Sequence, residues 1–169
     1  MNALDLGADP EAGPVRDYRT SVPAEWIDEN DHMDTIYYKV VANDGTRALF
    51  RRVGLTPDLM ASNGSTFFQA EMHICFEREL RLGDPVSVHS WLVAADAKRI
   101  HHIHEIFHEA EGYRAATVEL MTLHISRATR RTAPMPVDLL ARLQAMATAH
   151  ARLPLPDKVG HAISAARRG

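Results

Sequence analysis

Two stretches of the chain carry apolar residues at the spacing of an α-helix. Residues 34–53 have helical character, and Gly54 follows them in a position that glycine commonly takes after a helix. Gly45 lies inside this stretch and lowers helix stability by about 1 kcal/mol relative to alanine, so an interruption there stays open. Residues 137–150 form a second amphipathic pattern. The spacing predicts one long helix early in the chain and a shorter one near its end.

Between these helices the pattern changes to the alternation of β-strands. Residues 66–79 place acidic and histidine side chains on one face and five apolar side chains on the other, namely Phe68, Ala70, Met72, Ile74 and Phe76. Further strands are expected at residues 15–22, 86–94, 99–109 and 113–126. A tight turn at Glu111 and Gly112 predicts that the last two form a hairpin.

The order of elements predicts an α+β fold. A sheet of about five strands needs its apolar face covered, and a helix of 20 residues is about 30 Å long, enough to lie across it. The domain is expected to cover residues 15–150, and the glycine- and proline-containing termini at 1–14 and 151–169 are expected to be loose.

Composition and charge exclude several classes of function. The chain has 169 residues, a net charge of −3 and a pI near 6.3, which favour neither nucleic acid nor an anionic membrane as a partner. No apolar run approaches the roughly 20 residues that span a bilayer, and the first ten residues do not resemble a secretory signal. The single cysteine, Cys75, is typical of a reducing cytoplasm and is expected to be a small core residue.

The stretch WIDENDHMDTIYY, residues 26–38, places Asp28 on a loop just before the first helix. Unpaired N–H groups at a helix start carry partial positive charge and can polarise a carbonyl oxygen. A carboxylate on the preceding loop could attack that carbonyl or deprotonate a water molecule that does. The alternative from local physics is that the acidic residues only cap the helix.

This stretch resembles the D-x-x-G-H-V/M-N-x-x-x-Y segment of the hotdog-fold thioesterases, a group that includes 4-hydroxybenzoyl-CoA thioesterase. The helix ending ALFRRVGL, the strand and turn FERELRLGDPVSV and the hairpin KRIHHIHEIFHEAEGYRAATVELMTLHIS also match the family, so the likeness covers roughly residues 15–135. The segments are most similar to its betainyl-CoA thioesterase branch, which is linked to carnitine breakdown. The resemblance implies a hotdog domain, in which a five- or six-stranded antiparallel sheet wraps a long central helix.

The resemblance also implies roles for residues of the motif. Asp28 corresponds to the catalytic carboxylate, His32 to the motif histidine, and backbone N–H groups near Thr35 to the donors that hold the thioester carbonyl. Asp31 stands where the family usually has glycine. Aspartate tolerates the left-handed conformation that glycine often supplies, but its charge is expected to raise the pKa of Asp28.

Substrate contacts are expected elsewhere in the chain. If the acyl group carries a trimethylammonium group, Glu71 would offset its charge and an aromatic side chain, Trp26, Tyr37 or Phe67, would supply a π face. Core packing is the alternative for these aromatic residues. Basic pairs at the rim are candidates for the CoA phosphates, with a solvated surface as the alternative: Lys98, Arg99, Arg130 and Arg131.

The histidines of the strand at residues 99–109 are a weak signal for metal binding. His102, His104 and His108 share one face and His101 lies on the other, but without a cysteine pair nearby we expect no metal and interpret them as a strip facing solvent or a second subunit.

The expected activity is hydrolysis of an acyl-CoA thioester, with betainyl-CoA as the leading substrate. No cofactor is expected, since CoA enters only as part of the substrate. The alternatives are another short-chain or aromatic acyl group, the dehydratase chemistry of the same fold, and a protein that binds CoA esters without turnover. The family pairs sheets edge to edge, so a homodimer or tetramer is implied, with each site shared between subunits.

Overall fold

The computed structural model describes residues 13–161 and residue 163. Its strands are β1 (Val15–Ser21), β2 (Ser65–Phe76), β3 (Pro85–Ala95), β4 (Arg99–His108) and β5 (Arg114–Ser126). Its helices are α1 (Thr35–Arg52), α2 (Pro57–Ser62) and α3 (Val137–His150), and a short 3-10 turn covers Ala24–Trp26. The strands form one antiparallel sheet in the order β1-β3-β4-β5-β2. The predicted α+β class, the long helix and the hairpin of β4 and β5 are confirmed, whereas the short helix α2 was not predicted.

The bounds of α1 follow from its capping residues. The Asp34 carboxylate accepts a hydrogen bond from the Ile36 N–H at 3.0 Å, which begins the helix. Arg51 and Arg52 lie in the last turn, where positive charge favours the helix dipole, and Gly54 follows with φ of 73°. The helix therefore begins and ends where the sequence predicts.

Gly45 does not interrupt α1, and its role is to allow close packing against the sheet. A Cβ atom at this position would lie 2.8 Å from Val88 Cγ1 and 3.3 Å from His104 Nδ1. Only glycine lets the helix backbone approach β3 and β4 this closely, so the helical penalty of glycine is offset by packing.

The predicted faces of β2 are wrong in its first half. The pairing of β2 with β5 shifts register between Gln69 and Glu71, which is a β-bulge. Before the bulge Phe67 and Gln69 face α1, whereas after it Met72 and Ile74 pack on the core. Phe68, expected on the core side, is 39% exposed because the extra residue reverses the alternation.

Two hydrophobic clusters fill the space between the sheet and its helices. The first joins the N-terminal half of α1, including Tyr38 and Val41, to the centre of the sheet at Val88 and Ile106. The second joins the C-terminal half of α1 to α3, with Leu49 and Leu143 among its fully buried members. The helix thus has a fixed position over the sheet, and this positions the loop at its start.

The segment after α3 returns along the face of the sheet that lies away from α1. Asp157 forms an ion pair with Arg114 of β5 at 2.8 Å, and the Gly160 N–H donates to Glu119 Oε1 at 2.8 Å. Cys75 lies on this face and is only half-buried, so the expectation of a core cysteine is wrong. Of the termini expected to be loose, 1–14 and 151–169, residues 1–12, 162 and 164–169 lie outside the described residues.

No helix in the described residues is both long and apolar enough to cross a membrane.

Candidate active site

The loop that carries Asp28 is closed by backbone hydrogen bonds. Ile27 and Met33 form an isolated antiparallel bridge, and the Asp28 N–H donates to the His32 carbonyl at 3.0 Å. Asp31 turns the chain with φ of 63°, the left-handed conformation that glycine adopts readily and that aspartate tolerates. The prediction that aspartate can replace glycine at this turn is confirmed, and the loop presents Asp28 from a fixed backbone.

The Asp28 carboxylate is held by donors from its own loop. It accepts hydrogen bonds from the Asn30 N–H at 2.8 Å and from Asn30 Nδ2 at 3.2 Å, and His32 Nδ1 lies 3.7 Å from Oδ1. The backbone hydrogen bond from Asn30 is the main cause that lowers the pKa of Asp28 below its ordinary value. The expected rise in this pKa, caused by Asp31, is therefore wrong, and Asp28 is ionised at neutral pH.

The start of α1 provides a hydrogen-bond donor for an oxyanion. The Asp34 carboxylate accepts a hydrogen bond from the Ile36 N–H, and the Asp34 carbonyl accepts one from the Tyr37 N–H at 3.0 Å. The exposed Thr35 follows, and no acceptor within residues 13–161 is hydrogen-bonded to its N–H. This N–H lies at the positive end of the helix dipole, as the sequence predicts for a carbonyl-binding group.

Two predicted aromatic residues lie beside this helix start. The rings of Trp26 and Tyr37 stack with centroids 5.1 Å apart and planes inclined by 13°. The Asp34 N–H donates to the Trp26 carbonyl at 2.9 Å, which ties the 3-10 turn to the helix. One end of the molecule therefore carries five of the predicted site residues, which are Trp26, Asp28, His32, Thr35 and Tyr37.

Phe67 lies in a different place, in an open cleft of about 560 Å³ between α1 and β2. Its ring packs against Phe50 with centroids 5.7 Å apart. Sequence reasoning missed the uncharged polar residues of this cleft, which are Asn43, Thr46, Gln69 and Thr122. They lie on α1, β2 and β5, and only the unpredicted bulge aims Gln69 at Asn43, with a hydrogen bond of 2.7 Å.

Behind the cleft lies a buried pair of histidines. His102 Nδ1 and His104 Nε2 are 3.2 Å apart, and both side chains are fully buried. His102 Nε2 also lies 3.0 Å from the Thr122 hydroxyl, and the two ring nitrogens of His104 each lie 2.8 Å from a hydroxyl, that of Thr46 or that of Ser90. Burial lowers the pKa of His104 to about 3 and that of His102 well below its ordinary value. The expected strip facing solvent or a subunit is wrong for these two residues, which are neutral and lie under α1, and for His108, which is also buried.

Glu71 is not brought near the aromatic residues of its own chain. It is exposed and lines a cleft on the face of the sheet away from α1, together with His73 and Glu119. Its predicted contact with a cationic acyl group stays a prediction.

The four basic residues predicted to meet CoA lie together at one end of the sheet. Lys98 and Arg99 stand at the turn into β4, where both N–H groups donate to Asp96 Oδ1, and the Lys98 carbonyl accepts from His124 of β5. Arg130 and Arg131 follow the end of β5, and the Arg130 guanidinium lies 5.1 Å from the Phe68 ring centre. All four side chains are exposed.

Asp28 and these basic residues lie at opposite ends of the chain's own sheet. The Asp28 loop is joined to the end that follows β2 by the hydrogen bond from Met33 N–H to the Leu80 carbonyl, 2.7 Å long. The basic residues lie near the start of β2, where Ser65 pairs with Ser126. The 18 residues of α1 span about 27 Å between these ends, at about 1.5 Å per residue. Within one chain, the predicted catalytic carboxylate and the basic residues predicted to meet CoA therefore lie far apart.

Comparison with known proteins adds independent information. The model of the thioesterase-like superfamily matches residues 22–143. The betainyl-CoA thioesterase of Pseudomonas aeruginosa is 36% identical over 146 residues, which cover 86% of this chain and 92% of that protein. An L-carnitine dehydrogenase/betainyl-CoA thioesterase of Rhizobium meliloti is 32% identical over 92% of this chain, which spans only 31% of that longer protein.

A solved structure has the same fold over almost the whole chain. A hypothetical protein from Staphylococcus aureus, in complex with CoA, superposes with a TM-score of 0.81 and 25% identity, covering 97% of this chain and 99% of that one. Together with the sheet order, these matches confirm the predicted hotdog fold.

Proposed function

The chain belongs to the thioesterase-like superfamily, and from this premise we propose that it hydrolyses betainyl-CoA, with Asp28 as its catalytic carboxylate. The observation that carries the proposal is the position of an ionised carboxylate beside a helix start whose first N–H, that of Thr35, is available to a substrate.

The reaction follows from these two groups. The Asp28 carboxylate either attacks the thioester carbonyl carbon or takes a proton from a water molecule that attacks it. Negative charge that develops on the carbonyl oxygen is stabilised by the Thr35 N–H and the helix dipole. The carbon–sulfur bond then breaks and the CoA thiolate takes up a proton. If Asp28 attacks directly, the acyl group is left on Asp28 as an anhydride, and water must hydrolyse this anhydride before the free acid is released; if water attacks, the free acid forms at once. His32 positions the loop through its backbone and its proximity to Asp28.

We propose that the active site is shared across a homodimer. β2 is an edge strand of 12 residues, and β5 is its only partner in the described part of the chain. Two β2 edges paired antiparallel about a two-fold axis would bring the end that follows one β2 to the start of the other. Asp28 of one subunit would then lie near Phe67, Lys98, Arg99, Arg130 and Arg131 of its neighbour, which joins the two halves of the site.

The betainyl group favours an aromatic contact close to Asp28. Its trimethylammonium nitrogen is attached to the carbon next to the thioester carbonyl, so the cation and the reacting carbon are only two bonds apart. The stacked pair of Trp26 and Tyr37 lies at the same helix start as Thr35 and supplies such a π face. Phe67 and Glu71 of a neighbouring subunit are the further candidates. CoA enters as part of the substrate, and the expected compartment is the cytoplasm.

The proposal is tested by release of free thiol from a panel of acyl-CoA esters, including betainyl, acetyl, butyryl and benzoyl esters. Betainyl-CoA is expected to have the highest kcat/KM, and Trp26→Leu should lower that value more for betainyl-CoA than for butyryl-CoA, which has no cation. Equal losses for both esters would contradict the cation contact. Tight binding of CoA esters without any thiol release would show a binding protein instead.

The shared site is tested by mixing two inactive variants, Asp28→Asn and Arg99→Glu/Arg130→Glu. Subunit exchange would regenerate one intact site in a mixed dimer, so activity should reappear on mixing. Failure to recover activity, after exchange has been verified by mass spectrometry, would contradict the arrangement.

A further inference from the structure

The face of the sheet away from α1 carries a second cluster of reactive side chains, which the thioesterase chemistry does not use. His73 and Cys75 are two residues apart on β2, so their side chains lie on the same face. The segment after α3 brings His161 against them, with Cys75 Sγ 4.0 Å from His161 Nδ1. The rings of His73 and His161 are nearly parallel, inclined by 8° with centroids 5.7 Å apart.

One ligand atom from each of these residues lies within 4.8 Å of the others. In the described part of the chain, this is the one group of three histidine, cysteine or acidic side chains that could hold a metal ion. A tetrahedral zinc ion has Zn–S near 2.3 Å and Zn–N near 2.0–2.1 Å, so its ligand atoms lie about 3.4–3.6 Å apart. Rotation of two partly exposed imidazole rings can close the remaining gap of about 1 Å.

We propose that His73, Cys75 and His161 bind a borderline-soft divalent transition metal, with Zn²⁺ as the expected ion. Two imidazoles and one thiolate form a donor set that suits Zn²⁺ and disfavours Mg²⁺ and Ca²⁺, which prefer oxygen ligands. The Cys75 thiol loses its proton to solvent as the sulfur binds the ion, and water completes the tetrahedron. This site departs from the sequence-based expectation of no metal.

The surroundings hold the third ligand in place without the metal. Glu119 accepts the Gly160 N–H through both carboxylate oxygens, at 2.8 and 3.0 Å, directly before His161. His101 Nε2 lies 2.6 Å from Glu119 Oε1 and also holds that carboxylate in place. Glu71 and Glu119 both line this open cleft of about 580 Å³, so their negative charge offsets part of the charge of a dication.

The role that follows is structural. The ion would tie the segment after α3 to the edge strand β2. It would lie on the face of the sheet away from α1, whereas the proposed active site lies at the first turn of α1. Metal binding is therefore expected to raise the stability of the folded chain.

The test uses the full chain, purified without a histidine tag and stripped of metal, titrated with Co²⁺ and then with Zn²⁺. One equivalent of Co²⁺ should produce a thiolate-to-cobalt charge-transfer band, and Zn²⁺ should displace it. Cys75→Ser should abolish the band, and His161→Gln should weaken binding by at least about tenfold. His89→Gln is the matched control, because His89 packs on Phe107 away from the cluster and should leave binding unchanged.

Thermal unfolding provides a readout that does not depend on cobalt spectra. Zinc should raise the Tm of the wild-type chain and of His89→Gln, but not that of Cys75→Ser, whose fold is checked by circular dichroism. A cobalt band that survives Cys75→Ser, the lack of any band, or an equal zinc effect on the Tm of all three proteins would overturn the proposal.

Discussion

The Asp28 loop and the buried pair of His102 and His104 place polar side chains beside the same helix with opposite results. Asp28 lies at the start of α1, accepts two hydrogen bonds from Asn30 and is ionised. The histidines lie under the middle of α1, where burial lowers their pKa and keeps them neutral. Donors lower the pKa of Asp28 and burial lowers the pKa of both histidines, so the surroundings widen the pH range over which Asp28 stays ionised and the histidine pair stays neutral.

This difference separates the roles of the two regions. An ionised carboxylate near solvent can meet a substrate, whereas a neutral histidine pair with all its neighbours in place stabilises the contact between α1, β3 and β4. Substitutions or pH changes that affect one region at a time should therefore separate stability from catalysis.

Acidification should destabilise the fold through the histidine pair. Both histidines have a lowered pKa in the folded state, so below about pH 6.5 the unfolded chain binds protons that the folded chain does not. Their contribution to stability is present above pH 6.5 and is lost as the pH falls. Each histidine should lower the free energy of unfolding by about 1.4 kcal/mol per pH unit in this range.

Urea unfolding at pH 7.5, 6.0 and 5.0 measures this slope. His104→Gln keeps hydrogen-bonding capacity without a titrating group. The free energy of unfolding of this variant should therefore fall less steeply on acidification, by about 1.4 kcal/mol per pH unit, which corresponds to one proton. Identical slopes for the wild type and His104→Gln would mean that His104 is protonated in the folded chain.

Gly45→Ala should be destabilising despite the higher helix propensity of alanine. The added Cβ would lie 2.8 Å from Val88 Cγ1, so α1 must move away from β3 and disturb the contacts of His104. Overpacking of this kind costs about 1–3 kcal/mol. Chemical denaturation measures the change, with Lys39→Ala as the control on an exposed face of the same helix. A more stable Gly45→Ala protein would refute the close approach.

Asp34→Ala should remove the cap of α1 and cost about 1 kcal/mol of stability. It should also lower kcat, because the helix start that presents the Thr35 N–H becomes less ordered. Asp34→Asn keeps a side-chain acceptor and should retain most of the stability. If both variants lose the same stability, the hydrogen bond from the Ile36 N–H is not the cause.

Asp31→Gly should have the smallest effect, within about 0.5 kcal/mol, because glycine adopts the same positive φ without strain but loses more entropy on folding. The acidic limb of the pH–rate profile should stay where it is, since hydrogen bonds from Asn30 set the pKa of Asp28. A shift of that limb to lower pH would show that Asp31 does raise this pKa.

The parts of the fold that depend on local pattern were predicted from the sequence. The bounds of α1 follow from Asp34 and Gly54, and the hairpin follows from Gly112, because caps and turns are recognised by neighbouring residues. The sequence also predicted that Trp26, Asp28, His32 and Tyr37 lie close together, because all four fall within 12 consecutive positions.

Long-range packing accounts for what could not be predicted. One extra residue at the bulge between Gln69 and Glu71 reverses the faces of β2, and the alternation pattern does not reveal an insertion of this kind. Alternation also placed His102 and His104 on one face without indicating that α1 covers that face. His161 lies against His73 and Cys75 although it follows them by nearly 90 positions in the chain, and no local pattern connects residues that far apart.

The central claim, that Asp28 is the catalytic carboxylate, is tested most directly by the rate of thiol release from betainyl-CoA in Asp28→Asn. Asparagine matches the shape of aspartate but has no negative charge, so kcat should fall on the order of 10²–10⁴-fold while the fold is retained. Asp31→Asn, which removes a charge from the same loop, should keep nearly full activity. Unchanged turnover in a folded Asp28→Asn protein, or an equal loss in Asp31→Asn, would contradict the account.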